Sequence, residues 1–327
     1  MASATQIKQL LKSHGQRNDE RFYAVALQVA AAEARAGHAK FAQEIRDLVD
    51  KSRKSSNENR VLSNVLHVAR PKGEVADLLE TVHTEVRASD LILPDVLKDR
   101  VNRVLIEQRN ISAIREHNLT PRQRLLFTGP PGCGKTMTAS AIACELGLPL
   151  FVVRLDSLIS KYLGDSLSKL RLIFEAAEQT RAIFFFDEFD SIGVSRDVLG
   201  EVGEMRRILN AFLLFIERLS SNSLIIAATN HGERLDKALY RRFDDLIEFG
   251  LPGKQQIKDV MRTRLHGVKV SKLSWEKILP AAEGLSYSEI TKACEEAVKS
   301  TILHLKKSVT TSMLVESLTE RRLFLNH

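Results

Sequence analysis

Four short apolar runs punctuate the middle of this chain: Arg124 to Thr128, Leu150 to Val153, Ile183 to Phe186 and Leu224 to Ala228. None shows the polar alternation of a sheet with one wet face, so they predict strands buried on both sides. Between them, Thr136 to Leu146, Ser166 to Thr180 and Glu204 to Leu219 carry apolar residues at helical spacing. Strands alternating with helices predict a parallel sheet covered on both faces, a three-layer αβα unit. Upstream, Pro94 suits the first turn of a helix, and Leu97, Val101, Val104 and Leu105 carry that helix to about His117. Beyond Pro252 the strand pattern stops. Gln255 to Leu265, Trp275 to Ala282, Ser288 to Leu305 and Ser312 to Leu323 all read as helix, giving a separate helical lid.

The first part of the chain has a different texture. Phe22, Val25, Ala26, Val29 and Ala30 recur at three- and four-residue spacing, and Phe41, Ile45, Leu48 and Val49 extend the pattern past Gly37. Lys51 to Arg60 has the polarity of a linker, and Val61 to Arg87 returns to helical periodicity, interrupted by Pro71 and Gly73. The expected organisation is therefore an N-terminal helical module at 1–88, a large α/β unit at 89–252 and the lid at 253–327. The module either packs only on itself or docks a substrate or an adaptor.

Composition narrows the picture mainly by exclusion. At 327 residues, 44% hydrophobic and 27% charged, the chain is ordinary globular material. Its longest alanine-rich stretch, Phe22 to Ala36, is broken by Gln28, Glu33 and Arg35, so no membrane span is expected. The start, MASATQIKQLLKSHGQ, lacks the features of a signal peptide. Cys133, Cys144 and Cys294 have no framework spacing and read as free thiols of a reducing compartment, so a cytoplasmic protein is expected. The net charge of +7 leaves an anionic partner open. No dense Lys/Arg block accompanies it, which weighs against nucleic acid as the direct substrate.

The chemistry-bearing residues sit at the ends of the apolar runs. Leu125-Leu126-Phe127-Thr128 leads into GPPGCGKT, Gly129 to Thr136, and then into a helix beginning near Met137. Strand, glycine loop and helix in that order make a phosphate cradle. Gly129, Gly132 and Gly134 let backbone N–H groups turn inward, with Pro130, Pro131 and Cys133 completing the loop. Lys135 supplies an ammonium for the β- and γ-phosphates, and the Thr136 hydroxyl a ligand for Mg²⁺. About fifty residues on, Ile183 to Phe186 ends in Asp187-Glu188. Alone, an acidic strand end is weak evidence. After a phosphate loop, it reads as a Mg²⁺-holding Asp187 and a general base, Glu188, for the attacking water. Asp190 reads as a structural cap of the next turn. Leu224 to Ala228 ends in Thr229-Asn230, whose amide suits the lytic water or the γ-phosphate. Arg241 and Arg242 follow, either as a solvated surface pair or as guanidinium groups for a neighbouring subunit's γ-phosphate.

Together these elements resemble the AAA+ ATPases, in the branch of the proteasomal, katanin-like and vacuolar-sorting ATPases. The likeness runs from about Leu93 to the C-terminus. It implies ATP and Mg²⁺ as cofactors, Gly129 to Thr136 as Walker A, Ile183 to Glu188 as Walker B, Asn230 as sensor 1 and Arg241 and Arg242 as arginine fingers. It also likens Lys161-Tyr162-Leu163 to the first pore loop, whose aromatic residue grips a threaded polypeptide. The implied activity is protein remodelling or unfolding by a homo-oligomeric ring, a hexamer, fed through the N-terminal module, with a separately encoded protease as one partner open to it. A nucleotide-dependent scaffold and a DNA-associated ATPase are the alternatives. The chain departs from the family at Gly284 to Ile290, where Tyr287 and Ser288 replace the usual glycine and alanine of sensor 2. There Tyr287 stacks on or covers the base, or blocks close backbone approach. The two arginines are adjacent rather than spaced, which leaves open which one reaches phosphate, with Arg242 favoured.

Overall fold

The computed structural model describes residues 73–158, 163–190, 201–235, 237–304 and 307–325, with a few positions between 25 and 47. The chain divides into two compact units, Met1–Val68 and Ala69–His327. In the first, Val25, Ala26, Val29 and Ala30 are helical and buried, the stripe expected from their spacing. Most of the other expected N-terminal helix positions, and the polar stretch Lys51 to Arg60, lie outside the described residues.

The second unit is built on a six-stranded sheet of β1 (Leu79–Val82), β2 (Arg124–Thr128), β3 (Leu150–Val153), β4 (Ile183–Phe186), β5 (Leu224–Thr229) and β6 (Asp245–Glu248). Their order is β1-β3-β4-β5-β2-β6. β1 is antiparallel to β3 and every other pairing is parallel. The helices that cover the sheet are α1 (Asp95–Arg109), α3 (Lys135–Leu146), α4 (Leu163–Gln179) and α5 (Glu201–Arg218), while the short α2 (Ile111–Glu116) buries no residue.

The two-sided burial of the strands is visible residue by residue. Phe184 and Phe186 join one core with Phe174 of α4 and Phe212 of α5. Ile183 and Phe185 point the other way, into a core shared with Val104 of α1 and Ile142 of α3. A run of four apolar residues is what such a strand needs, because alternate side chains serve opposite faces. On the first face the rings interlock, with centroids 5.1 Å apart for Phe186 and Phe212 and 5.6 Å for Phe174 and Phe212.

Beyond β6 the chain is helical: α6 (Lys254–Arg264), α7 (Trp275–Ala282), α8 (Tyr287–Leu303) and α9 (Thr311–Leu325). They enclose a third core that includes Met261, Ile278, Ile290, Ala297 and Leu314.

Three expectations need correction. Within 61–87, read as helical, Val75–Leu78 is helix but Leu79–Val82 forms β1 on the sheet, and residues 61–72 lie outside the described residues. β6 was not foreseen either. Both are edge strands with mixed burial, and of Asp245 to Glu248 only Ile247 is buried, so the apolar signal is faint. The helix expected from Pro94 to His117 is two helices that meet at Asn110. The Asn110 side-chain amide donates to the Ile106 carbonyl at 2.7 Å, a local bond that competes with the helical ladder.

Candidate functional site

The loop after β2 folds as its glycines allow. Gly129, Gly132 and Gly134 have φ of 136°, 74° and 97°, in the region where a side chain is strained. At Gly129 there is also no room: a Cβ would lie 1.9 Å from the Phe249 carbonyl oxygen. Pro130, Pro131 and Gly132 are exposed, whereas Cys133 is buried beneath them. Gly134 caps α3, so the positive end of a twelve-residue helix faces the loop.

Lys135 is only 6% exposed. Its ammonium donates to the carbonyls of Gly129 at 2.7 Å and Pro130 at 3.0 Å, and to Asn230 Oδ1 at 2.8 Å. Burial pushes its pKa below the usual lysine value, while charges nearby, Asp187 and Asp190 among them, work in the opposite direction. The loop, the start of α3 and, 95 residues further along the chain, the tip of β5 thus meet at one nitrogen.

The acidic tip of β4 adjoins them. The Thr136 hydroxyl donates to Asp187 Oδ2 at 2.9 Å, so two hard oxygens lie side by side at the mouth of the loop. That pair suits a small divalent cation that keeps waters and takes its remaining ligands from phosphate. Glu188 is exposed and holds φ at 49°, a conformation uncommon outside glycine. Its neighbours hold it there: the Phe189 N–H donates to the Ala228 carbonyl at 2.8 Å, and the buried Phe189 ring packs 4.7 Å from Phe212. Strain of this kind persists where surrounding structure over-determines it. Asp190, expected as a local cap, accepts from Thr229 Oγ1 at 2.9 Å and ties the tips of β4 and β5 together.

The lid reaches the same loop. Ser288 N–H donates to the Gly132 carbonyl at 3.2 Å, and a Cβ on Gly132 would come within 2.6 Å of Ser286 Oγ. Ser286 caps α8 by accepting from Glu289 N–H. Tyr287 packs against both the core beneath the sheet and the core of the lid. Its hydroxyl is buried with no hydrogen-bond partner among the described residues. Burial, helped by the neighbouring Cys133, raises the phenol pKa to about 12. Met137, in the first turn of α3, is partly exposed beside the loop.

Two further groups of expected residues remain. Arg241 and Arg242 precede β6, and Asp244 beside them accepts from the N–H groups of Gln123 and Arg124 at 2.8 and 2.9 Å, at the start of β2. Arg242 pairs with Glu217 of α5, its Nε 2.8 Å from Glu217 Oε1. Lys161 and Tyr162 lie outside the described residues, and of Leu163 only the backbone, at the start of α4, is described.

A mostly parallel sheet with a glycine loop, an acidic strand end and a polar strand tip at one edge, beneath a helical lid, defines a nucleoside-triphosphate-hydrolysing class of protein. Comparison with known proteins gives its family. Residues 125–251 match the family model described as "ATPase family associated with various cellular activities (AAA)". The chain is 36% identical over 310 residues to the uncharacterized AAA family ATPase y4kL of Sinorhizobium fredii, covering 94% of this chain and 92% of that one. It is 33% identical over 194 residues to a Methanothermobacter marburgensis protein named as a homologue of a 26S proteasome regulatory subunit, covering 58% of this chain and 51% of the relative. This chain thus spans nearly all of the first relative but about half of the second. Among solved structures, the FIGL-1 AAA domain shares the fold, with a TM-score of 0.61 over 78% of this chain and 88% of that one, at 21% identity. The chain belongs to the AAA family of ATPases; it binds and hydrolyses ATP.

Sequence reasoning missed Phe189, the Asp190–Thr229 tie and the contact of Gly132 with Ser286 and Ser288. Only the first left a signal, an apolar residue set directly after two carboxylates.

Proposed function

We propose that this chain is a Mg-ATP-driven protein-remodelling motor that works as a homo-oligomeric ring, a hexamer, and threads polypeptide through a central pore. The carrying observation is where the site residues find their partners. Lys135 bonds Asn230 and Thr136 bonds Asp187 at the phosphate loop, whereas Arg242 pairs with Glu217 of α5 and not with them. A site that needs a guanidinium for its γ-phosphate then has to take it from a neighbouring copy.

In this reading the loop Gly129 to Thr136 holds the phosphates with its N–H groups, and Lys135 exchanges its carbonyl partners for phosphate oxygens. Met137 and Tyr287 border the nucleotide. Thr136 and Asp187 hold Mg²⁺, which supplies charge neutralisation for the phosphates when bound. Glu188 takes the proton of the attacking water, Asn230 orients that water, and the neighbour's arginine stabilises charge developing on the γ-phosphate. Lys161, Tyr162 and Leu163 face the pore and grip substrate. The N-terminal module docks substrate or an adaptor, and a separate protease fits as a downstream partner in the cytoplasm. Among the described residues no helix is long and apolar enough to cross a membrane.

Subunit mixing tests the ring reading. Glu188→Gln and Arg242→Ala chains are each expected to be nearly inactive, and mixing them should restore ATPase activity, because an Arg242→Ala site then borrows an intact arginine. A mixture no more active than its parts would sink the shared site. Threading is tested with casein as an unfolded probe: Tyr162→Ala should keep basal ATPase activity and lose its stimulation by casein. Equal stimulation in both proteins would remove the pore from the mechanism.

A further inference from the structure

The two adjacent arginines are not equivalent in the fold. Arg241 is exposed. Arg242 is held: its Nε lies 2.8 Å from Glu217 Oε1, with the two side chains 33% and 44% exposed. Glu217 belongs to the last turns of α5, the helix that packs its other face into the phenylalanine core. The backbone beneath Arg242 is fixed too. Its N–H donates to Leu239 O at 3.0 Å, and Asp244 grips the start of β2 through two N–H groups.

An arginine on a surface loop samples many rotamers, and a group that must meet a neighbour's phosphate gains from arriving already oriented. The contact is made at Nε, the inner nitrogen of the guanidinium. A pair this exposed contributes little to folding. Its geometry, a flexible cation tied to a rigid helix, serves aim rather than stability. We propose that Glu217 is a positioning residue that orients Arg242 for the phosphate of the adjacent subunit. The inference rests on the reading of Arg242 as the group acting in trans.

The test uses the full chain at protein concentrations where ATPase activity per subunit no longer rises. Glu217→Gln is expected to lower kcat about five- to tenfold with KM for ATP within about twofold, and to leave the melting temperature unchanged. Glu217→Asp, which keeps the charge, should recover part of the loss. In an Arg242→Ala background, Glu217→Gln should change nothing further. Overturning results are an unchanged or faster Glu217→Gln enzyme, which would make the pair inert or sequestering, or an equal further loss without Arg242. If Arg242→Ala alone leaves kcat intact, the trans reading of Arg242 has failed, and the proposal fails with it. That outcome is distinct from an inert Glu217 beside an essential Arg242.

Discussion

Tyr287 offers a prediction whose sign runs against the usual effect of core substitutions. Its ring joins the core beneath the sheet to the core of the lid, while its hydroxyl is buried and unpartnered among the described residues. A buried hydroxyl without a partner costs about 1–3 kcal/mol. Tyr287→Phe keeps the ring and removes that cost, so the variant should be more stable by about 1 kcal/mol. For a unit of this size that is a rise of roughly 2–4 °C in melting temperature. Tyr287→Gly, which restores the residue usual in the family, removes the ring instead and should destabilise by about 2–4 kcal/mol through lost packing. The assay is thermal unfolding of the three proteins, paired with the affinity of a fluorescent ATP analogue. The order expected is Phe above Tyr above Gly in melting temperature, with the Phe variant binding nucleotide as tightly as the wild type. A Phe variant that melts lower, or binds nucleotide several-fold more weakly, would show that the hydroxyl has a partner in the protein or on the base. The packing account would then be wrong.

Other consequences follow from the same contacts. Phe189→Ala should cost about 3–5 kcal/mol, and the milder Phe189→Leu should stay folded yet lower kcat, since the ring holds Glu188 at its positive φ; a Leu variant with wild-type kcat would refute that link. Burial raises the Cys294 thiol from 9.0 to about 12, so its neutral form stabilises the fold below pH 9, and that stability is lost as pH rises from 9 towards 12. The slope is at most about 1.4 kcal/mol per pH unit, and melting curves of Cys294→Ala should decline less steeply over that range; parallel declines would count against it. Alkylation of the native protein near pH 7.5 should modify the partly exposed Cys144 before the buried Cys133 and Cys294, with peptide mapping as the readout.

How much of this was legible in the sequence depends on where each residue sits in the layers. The four inner strands were readable because each is buried on both faces: Ile183 to Phe186 has no exposed member, so composition alone carries the signal. Edge strands give no such run. In β1, Leu79 is buried and Glu80 exposed, and in β6 a single buried Ile247 stands among polar or exposed neighbours, patterns that helices and loops also produce. The break at Asn110 was likewise hidden, because the apolar spacing of α1 continues to suggest helix, and the interruption comes from one amide bonding back to Ile106.

The site divides along a different line. Its phosphate loop and acidic tip are contiguous in sequence, and their chemistry is fixed by local geometry, so the residues name themselves. What holds them in place is contributed by segments remote in the chain. Gly129 is required by the passing backbone of Phe249 as well as by its own φ, and no inspection of residues 125–136 reveals that neighbour. Tyr287 stands out in sequence only as a departure at a glycine position. The fold gives the departure a role, since the serines on either side of it touch Gly132 while its ring fills the seam between the two cores. In this chain the lid therefore bears directly on the phosphate loop through protein contacts. The Ser288 N–H to Gly132 carbonyl bond is the link through which a shift of α8 would be felt at the loop. Coupling of that kind is built from a hydrogen bond and a ring, both short-range, which is why it vanishes from the sequence and appears only when residues 132 and 288 are placed side by side.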